Sequence, residues 1–175
     1  MDETEYSRIL EHYSDMVYRL AFSYLKNRED AEDIYQNVFL KLLKNKKTFL
    51  DQEYEKRWLI RVTINECHSL YRSPWRKRRQ ICENLHLLLE KQQTTLPPED
   101  AETLFLQDEE NVTALLKNIP EKYSTVLYLF YFEEYSTKEI ADLLKRKEST
   151  IRTQLQRGRE LLRKNILESA EYQII

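Results

Sequence analysis

Residues 136–164, STKEIADLLKRKESTIRTQLQRGRELLRK, decide the fold class of this chain. The stretch opens on Ser136-Thr137-Lys138-Glu139, which has the spacing of a helix capping box. The serine oxygen can accept from the backbone N–H of Glu139, while the glutamate carboxylate reaches back. The helix that follows is short, with Ile140, Ala141 and Leu144 inward, and the turn Lys145-Arg146-Lys147 separates it from a long helix over about residues 149–167. At about 100° per residue, Ile151, Leu155, Gly158 and Leu162 share the packing side. Ser149, Thr153, Gln156 and Arg157 then face away, with Thr150 and Arg152 on the flanks. Two helices across a tight turn, the second long and basic, predict a helix-turn-helix. Its outer face carries groups that can read base edges and bond phosphates, where an ordinary solvated helix would carry Glu and Lys.

Upstream, PEKYSTVLYLFYFE at residues 120–133 begins on a proline suited to a first helical turn, and its many apolar residues predict burial on several sides. A short helix over about 108–118 precedes it. Residues 83–107 sustain no apolar stripe and contain Pro97-Pro98, which reads as a linker. Further towards the N-terminus, Ile9, Tyr13, Met16, Val17, Leu20, Ala21 and Tyr24 recur at steps of three and four, predicting a helix over 5–26. Asn27 is its stop and the next cap. A second helix over 28–44 has acids in its first turn, lysines in its last, and the stripe Ala31, Ile34, Val38 and Leu42. KNKKTFLDQ breaks the period as a loop, and helical spacing resumes over 53–72, ending before Pro74. The expected fold is all-α: two small helical domains joined by a flexible acidic linker, the second containing the helix-turn-helix. The boundaries fall at 1–79, 80–107, 108–167 and, for a C-terminal tail, 168–175.

Composition narrows the function. The chain has 175 residues with one Gly, four Pro and two Cys, and its net charge is −2. A single glycine, Gly158, cannot build a Walker loop or a dinucleotide fingerprint, so nucleotide-hydrolysing and Rossmann folds are set aside. Cys82 and His86 lie four apart, but Cys67 and His68 are helix neighbours pointing about 100° from one another, a poor set for one tetrahedral ion. No metal and no cofactor are expected. No apolar run approaches a membrane span, and the first ten residues are acidic where a signal peptide is basic then apolar, so a cytoplasmic protein without membrane insertion is expected. Near-neutrality conceals a local pattern. Residues 72–79 carry five positive charges and no negative one, and residues 145–164 carry eight against two. Between them, residues 80–122 hold nine acids and three bases. Two basic patches around an acidic spacer suit contact with a polyanion at two places.

Both helical blocks resemble the RNA polymerase sigma factors of the sigma-70 family, in the extracytoplasmic-function (ECF) group. DAEDIYQNVF (residues 30–39) is similar to the family's helix that binds the clamp helices of the polymerase, and RWLIRVTINECHSLYR (57–72) to its promoter-melting and −10 recognition helix. IPEKYSTVLYLFYFEEYSTKEIADLL, followed by STIRTQLQRGRELLRK, resembles the −35 recognition domain. The resemblance implies a core polymerase-binding role for Asp33, Gln36 and Asn37, which lie off the apolar stripe. It implies −10 contacts by Asn65, Arg61, Arg72 and Phe49, and −35 contacts by Ser149, Thr150, Arg152, Thr153, Gln156 and Arg157. Asn65 has a second reading, a buried amide tying helices together, and Trp58 reads as core rather than a platform for a base. Arg157 suits either a guanine or a phosphate. The chain departs from the family at Ser69, where many members carry aspartate, at Lys145-Arg146, where glycine and an apolar residue are usual, and at Gln154, which replaces a common arginine.

The implied function is a transcription initiation factor, itself no enzyme, that joins core RNA polymerase through its clamp helices and flap, directs it to promoter DNA and assists melting. An anti-sigma factor is an implied partner; a small-molecule substrate is not. The alternative is a dimeric helix-turn-helix regulator with a helical N-terminal interaction domain.

Overall fold

The computed structural model describes residues 2–45, 49–72, 116 and 118–171, with side chains followed to residue 165. The described residues form α1 (Glu3–Leu25), α2 (Arg28–Lys44), α3 (Gln52–Arg72), α4 (Glu121–Tyr131), α5 (Thr137–Leu144) and α6 (Glu148–Glu171), with no strand among them. The linker expected over 83–107 lies outside the described residues, as does most of the short helix expected over 108–118.

Local chemistry explains each boundary. Asp2 caps α1 by accepting from the Glu5 N–H at 2.7 Å. The helix ends at Lys26, not at Asn27, because Lys26 takes the left-handed conformation (φ 57°) and donates its N–H to the Phe22 carbonyl at 2.9 Å. Asn27 then caps α2, accepting from the Asp30 N–H at 3.0 Å, so the chain reverses within two residues. Asp51 starts α3 in the same way, accepting from the Tyr54 N–H at 2.7 Å.

The predicted stripes meet in one core. Ile9, Val17 and Leu20 of α1, Ile34, Val38 and Leu42 of α2, and Leu59 and Ile60 of α3 are almost wholly buried. Each such side chain contributes roughly 1.5–3 kcal/mol relative to exposure. Arg8 of α1 reaches Glu55 of α3 through two bonds, 2.7 and 3.3 Å, which satisfy a carboxylate whose side chain is only 3% exposed.

In the second set, every residue of α4 from Tyr123 to Leu129 is buried, which a helix covered on one side cannot achieve. It packs on α6 and also on α1. Gly158 of α6 permits the first contact, since a Cβ there would stand 3.0 Å from Leu127 Cγ and Cδ1. The capping box of α5 forms as expected: Ser136 Oγ accepts from the Glu139 N–H, and the Glu139 carboxylate accepts from the Ser136 N–H at 2.9 Å. Leu143 is buried beside Ile140 and Ala141, whereas Leu144 is only half-buried and lines the cleft towards α3. Lys145 closes α5 in the left-handed conformation (φ 52°), and the Arg146 N–H returns to the Ala141 carbonyl at 2.9 Å. A lysine thus occupies the position glycine would take more cheaply.

The two sets meet along a polar-edged seam. Ser124 Oγ donates to the Ser23 carbonyl at 2.7 Å in its buried centre. Tyr128 donates to Glu133 at 2.9 Å with the Met16 carbonyl 3.5 Å away. At the edge, Tyr135 donates to Glu53 at 3.0 Å and Lys56 pairs with Glu133 at 2.9 Å.

Candidate nucleic-acid interface

The outer face of α6 follows from its packing face. Ile151, Leu155, Gly158 and Leu162 are buried, which turns Ser149, Thr150, Arg152, Thr153, Gln156 and Arg157 to solvent, all six exposed. Their side chains differ in freedom. Thr153 Oγ1 donates to the Ser149 carbonyl at 2.9 Å, and Gln156 Nε2 donates to Glu160 at 3.1 Å. Arg152 is held one turn back by Glu148 through bonds of 2.8 and 3.1 Å, and that carboxylate also accepts from Thr137 at 2.8 Å. The Arg152 guanidinium, with Thr137 helping, holds the Glu148 carboxyl below its ordinary range. Arg157 lines a cleft that it shares with Lys122 and Tyr123 of α4. The approach of Arg157 and Lys122 pulls the Tyr123 phenol down from its ordinary range.

On α3, Tyr54, Arg61, Asn65 and Arg72 are exposed at helical spacing and share one face. Asn65 is therefore no buried amide. Phe49 is half-buried against Trp58, ring centroids 5.5 Å apart, and lies 6.2 Å from Tyr54. Trp58 is partly buried against the core, as its reading expected. The aromatic cluster ends on Leu50, which is 86% exposed at the start of the face. The other end of the face meets the α5–α6 turn. Arg61, Asn65 and His68 line one wall of a cleft of about 110 Å³, and Lys145 and Arg146 line the other. Burial, with Arg146 and Arg72 beside it, pushes the His68 imidazole below its ordinary range. Arg146 does not project outward: its guanidinium donates to Gln154 at 3.2 Å. That bond also gives Gln154 a structural role at the position where the family usually has arginine.

The third face is on α2. Asp33, Gln36 and Asn37 are exposed, and at the next steps of three and four stand Leu40 and Leu43, 51% and 58% exposed. Sequence reading missed these leucines. The signal was there, since both fall off the stripe Ala31, Ile34, Val38, Leu42. Exposed leucines continuing a polar row make a surface suited to a protein partner.

No group of three or more metal-ligating side chains gathers among the described residues; Cys67 is buried and forms no disulfide, and Cys82 and His86 lie outside the described residues. No helix of the described residues is long and apolar enough to cross a membrane.

An all-helical chain with a helix-turn-helix, and a second helical set presenting its own amide and guanidinium face, is a nucleic-acid-binding protein built in two parts. Residues 9–77 match the family described as Sigma-70 region 2, and residues 109–162 match Sigma-70, region 4. The chain is 29% identical over 170 residues to the ECF RNA polymerase sigma factor SigW of Bacillus subtilis strain 168, covering 94% of this chain and 90% of SigW. It is 30% identical over 159 residues to the RNA polymerase sigma factor YlaC of the same organism, covering 88% of this chain and 90% of YlaC. Among solved structures it shares its fold with the sigma factor RpoE, seen in complex with the anti-sigma factor NepR from Bartonella quintana. That match has a TM-score of 0.61 at 20% identity, covering 94% of this chain and 97% of the other. The chain belongs to the sigma-70 family of RNA polymerase sigma factors, in its ECF group, and is a promoter-directing factor of transcription initiation. Both regions occur in the sigma order along one chain, which disfavours the dimeric regulator.

Proposed function

We propose that three helix faces divide the work of initiation: α2 binds core polymerase through Asp33, Gln36 and Asn37, α3 captures the −10 element, and α6 reads the −35 element. The supporting observation is that every one of these polar side chains named on α2, α3 and α6 is exposed on a face set by the buried stripe of its own helix. Residues 1–79 would form the polymerase-binding and melting domain, 108–167 the −35 domain, with 80–107 as linker and 168–175 as tail. Leu40 and Leu43 extend the α2 face towards the clamp helices. On α3, Asn65, Arg61 and Arg72 bond a −10 base and its phosphates, and Phe49 stacks on a base that has left the duplex. Unstacking costs a few kcal/mol, which hydrogen bonds and stacking offset, so this face assists melting. The chain acts in the cytoplasm, contacts the polymerase flap through its second domain, and is held in reserve by an anti-sigma factor; the fold shared with RpoE in complex with NepR supports the last point.

In vitro transcription with core polymerase and permanganate footprinting test this reading. Asn65→Ala keeps its helical circular dichroism and loses strand separation; wild-type melting with Asn65→Ala at every promoter removes α3 from this role. Asp33→Ala with Gln36→Ala weakens association with core enzyme in a pull-down titration, and unchanged affinity removes them from the interface.

A further inference from the structure

The cleft of about 110 Å³ between α3 and the α5–α6 turn gathers cations from both helical sets. Arg61, Asn65 and His68 line one wall, Lys145 and Arg146 the other, and no carboxylate lines it among the described residues. Facing cations repel, so closing the two sets over this cleft calls for a counter-charge. Donors are in supply. Arg146 gives a guanidinium N–H to Gln154 at 3.2 Å and has others left, while among the described residues neither Arg61 nor Lys145 is engaged in an ion pair or a side-chain hydrogen bond. Burial, and then Arg146 and Arg72, hold the His68 imidazole below its ordinary range, with Glu121 of α4 opposing them and the Tyr24 ring of α1 5.3 Å away. Ile64 and Leu143, both buried, stand beside these polar groups and lower the local dielectric, which strengthens attraction to a bound anion. Lys145 holds its left-handed turn (φ 52°) at a backbone cost that glycine would avoid, and a charge with a task in the cleft offsets that cost. The volume is far below that of a site for a drug-sized molecule and holds one small ion with its nearest waters.

We propose that Arg61 and His68 of α3, together with Lys145 and Arg146 of the turn, bind one small tetrahedral oxyanion of the inorganic phosphate class, which bridges the two helical sets. Asn65 adds a neutral amide donor. Bonds from guanidinium and ammonium groups to such an ion are charge-assisted and stronger than neutral ones. Because its walls come from different sets, the site exists only while the sets are together. A bound ion therefore stabilises the closed chain over any state in which they part. Lys145 and Arg146 are also the positions at which the turn departs from its family, so the site is a property of this chain and not of the helix-turn-helix in general. It does not depend on which promoter element α3 or α6 contacts.

The test titrates inorganic phosphate into the full chain at constant ionic strength, with binding read by calorimetry and the His68 imidazole by proton NMR. Phosphate binds with a Kd on the order of 1 mM, and the His68 pKa rises by about one unit as the anion enters. Lys145→Gly suits the left-handed turn and so keeps the fold; it weakens phosphate binding roughly tenfold, and Arg61→Gln does the same from the other wall. Lys147→Ala, which removes an exposed charge that does not line the cleft, leaves binding unchanged. A parallel titration with a nucleoside triphosphate separates the sources: the tighter of the two ligands identifies the occupant as a free ion or as the phosphate end of a larger molecule, and either supports the site. Equal weakening by Lys147→Ala shows general screening of a basic surface and overturns the site. Weakening by only one of Lys145→Gly and Arg61→Gln confines the anion to one helical set and overturns the bridge. Binding that neither variant alters, or a His68 pKa that phosphate does not move, overturns it as well.

Discussion

The two faces proposed to meet nucleic acid are made from the same materials and stand in opposite conditions. On α6 the face from Ser149 to Arg157 is open to solvent. On α3 the face begins openly at Leu50 and Tyr54, but its later half, Arg61, Asn65 and His68, looks across a cleft of about 110 Å³ at Lys145 and Arg146. That is well below the roughly 300 Å³ of an ordinary small-ligand site. Side-chain chemistry is therefore insufficient to predict availability. A helix can display a complete recognition face that a neighbouring element shades, and here the shading depends on the seam between α1 and α4. Arg61, Asn65 and Arg72 are exposed as the chain stands; opening the seam would widen the cleft at the far end of the α3 face, whereas the α6 face has no such neighbour across it among the described residues.

The largest effect tests that dependence directly. Ser124→Arg places a long cation in the buried centre of the seam, where Ser124 now donates to the Ser23 carbonyl. An unpaired buried charge costs several kcal/mol, more than the seam can supply, so the two sets separate while each stays helical. Energy transfer between dyes at exposed positions on α2 and α6 drops, and binding of forked −10 DNA by the free chain rises. A variant with unchanged dye separation shows that the seam does not govern access to α3.

Next in size is Lys26, whose Nζ is buried without a hydrogen-bond partner close to the same junction. Burial pushes its pKa down from 10.5 to about 7, with Glu121 opposing the shift. The unfolded chain thus binds more protons than the folded one between pH 7 and 10.5, and stability rises with pH in that window. The penalty is fullest below pH 7. Lys26→Met, which keeps the left-handed backbone requirement while removing the ammonium, raises stability at pH 6.5 by roughly 2 kcal/mol and flattens the pH dependence between pH 7 and 9. Urea unfolding at several pH values reads both; a variant that keeps the wild-type slope shows that Lys26 is not its source.

Gly158→Val addresses the second set alone. Its branched side chain must displace Leu127, and overpacking of this kind costs about 2 kcal/mol. Hydrogen exchange should report the loss in α4 and α6 and leave α1–α3 protection intact. Equal loss in both sets would show that they unfold as one unit.

The smallest effect comes from Tyr135→Phe, which removes the bond to Glu53 at the rim of the seam. Burial, with Glu53 beside it, keeps the Tyr135 phenol protonated well beyond its ordinary range, so the bond persists across working pH. Its loss costs about 1 kcal/mol and increases the open fraction a few-fold in the same energy-transfer assay. No change would assign the edge of the seam to Lys56 and Glu133 alone.

What the amino-acid sequence determined by itself is everything governed by neighbours three and four residues away. The stripes Ala31, Ile34, Val38, Leu42 and Ile151, Leu155, Gly158, Leu162 are buried as their spacing required, and each fixes the outward face opposite to it. The capping box at Ser136 and the acidic first turn of α2 are equally local. Where the outcome depended on an unsequenced neighbour, spacing was insufficient. Asn65 read as a contact to a −10 base with a buried amide as the second reading, and only the packing of α3 showed it turned outward. The seven consecutive buried residues of α4 announced cover on several sides without naming α1 as half of it. Arg157 read as a base reader or a phosphate ligand from spacing alone, and only packing brought Lys122 and Tyr123 of α4 to the cleft it lines. Helical periodicity acts over a few residues and is written in order along the chain. The seam joins Ser23 to Ser124 across 101 positions, and which surfaces meet there depends on the shapes and charges of two finished helical sets, which only tertiary packing decides.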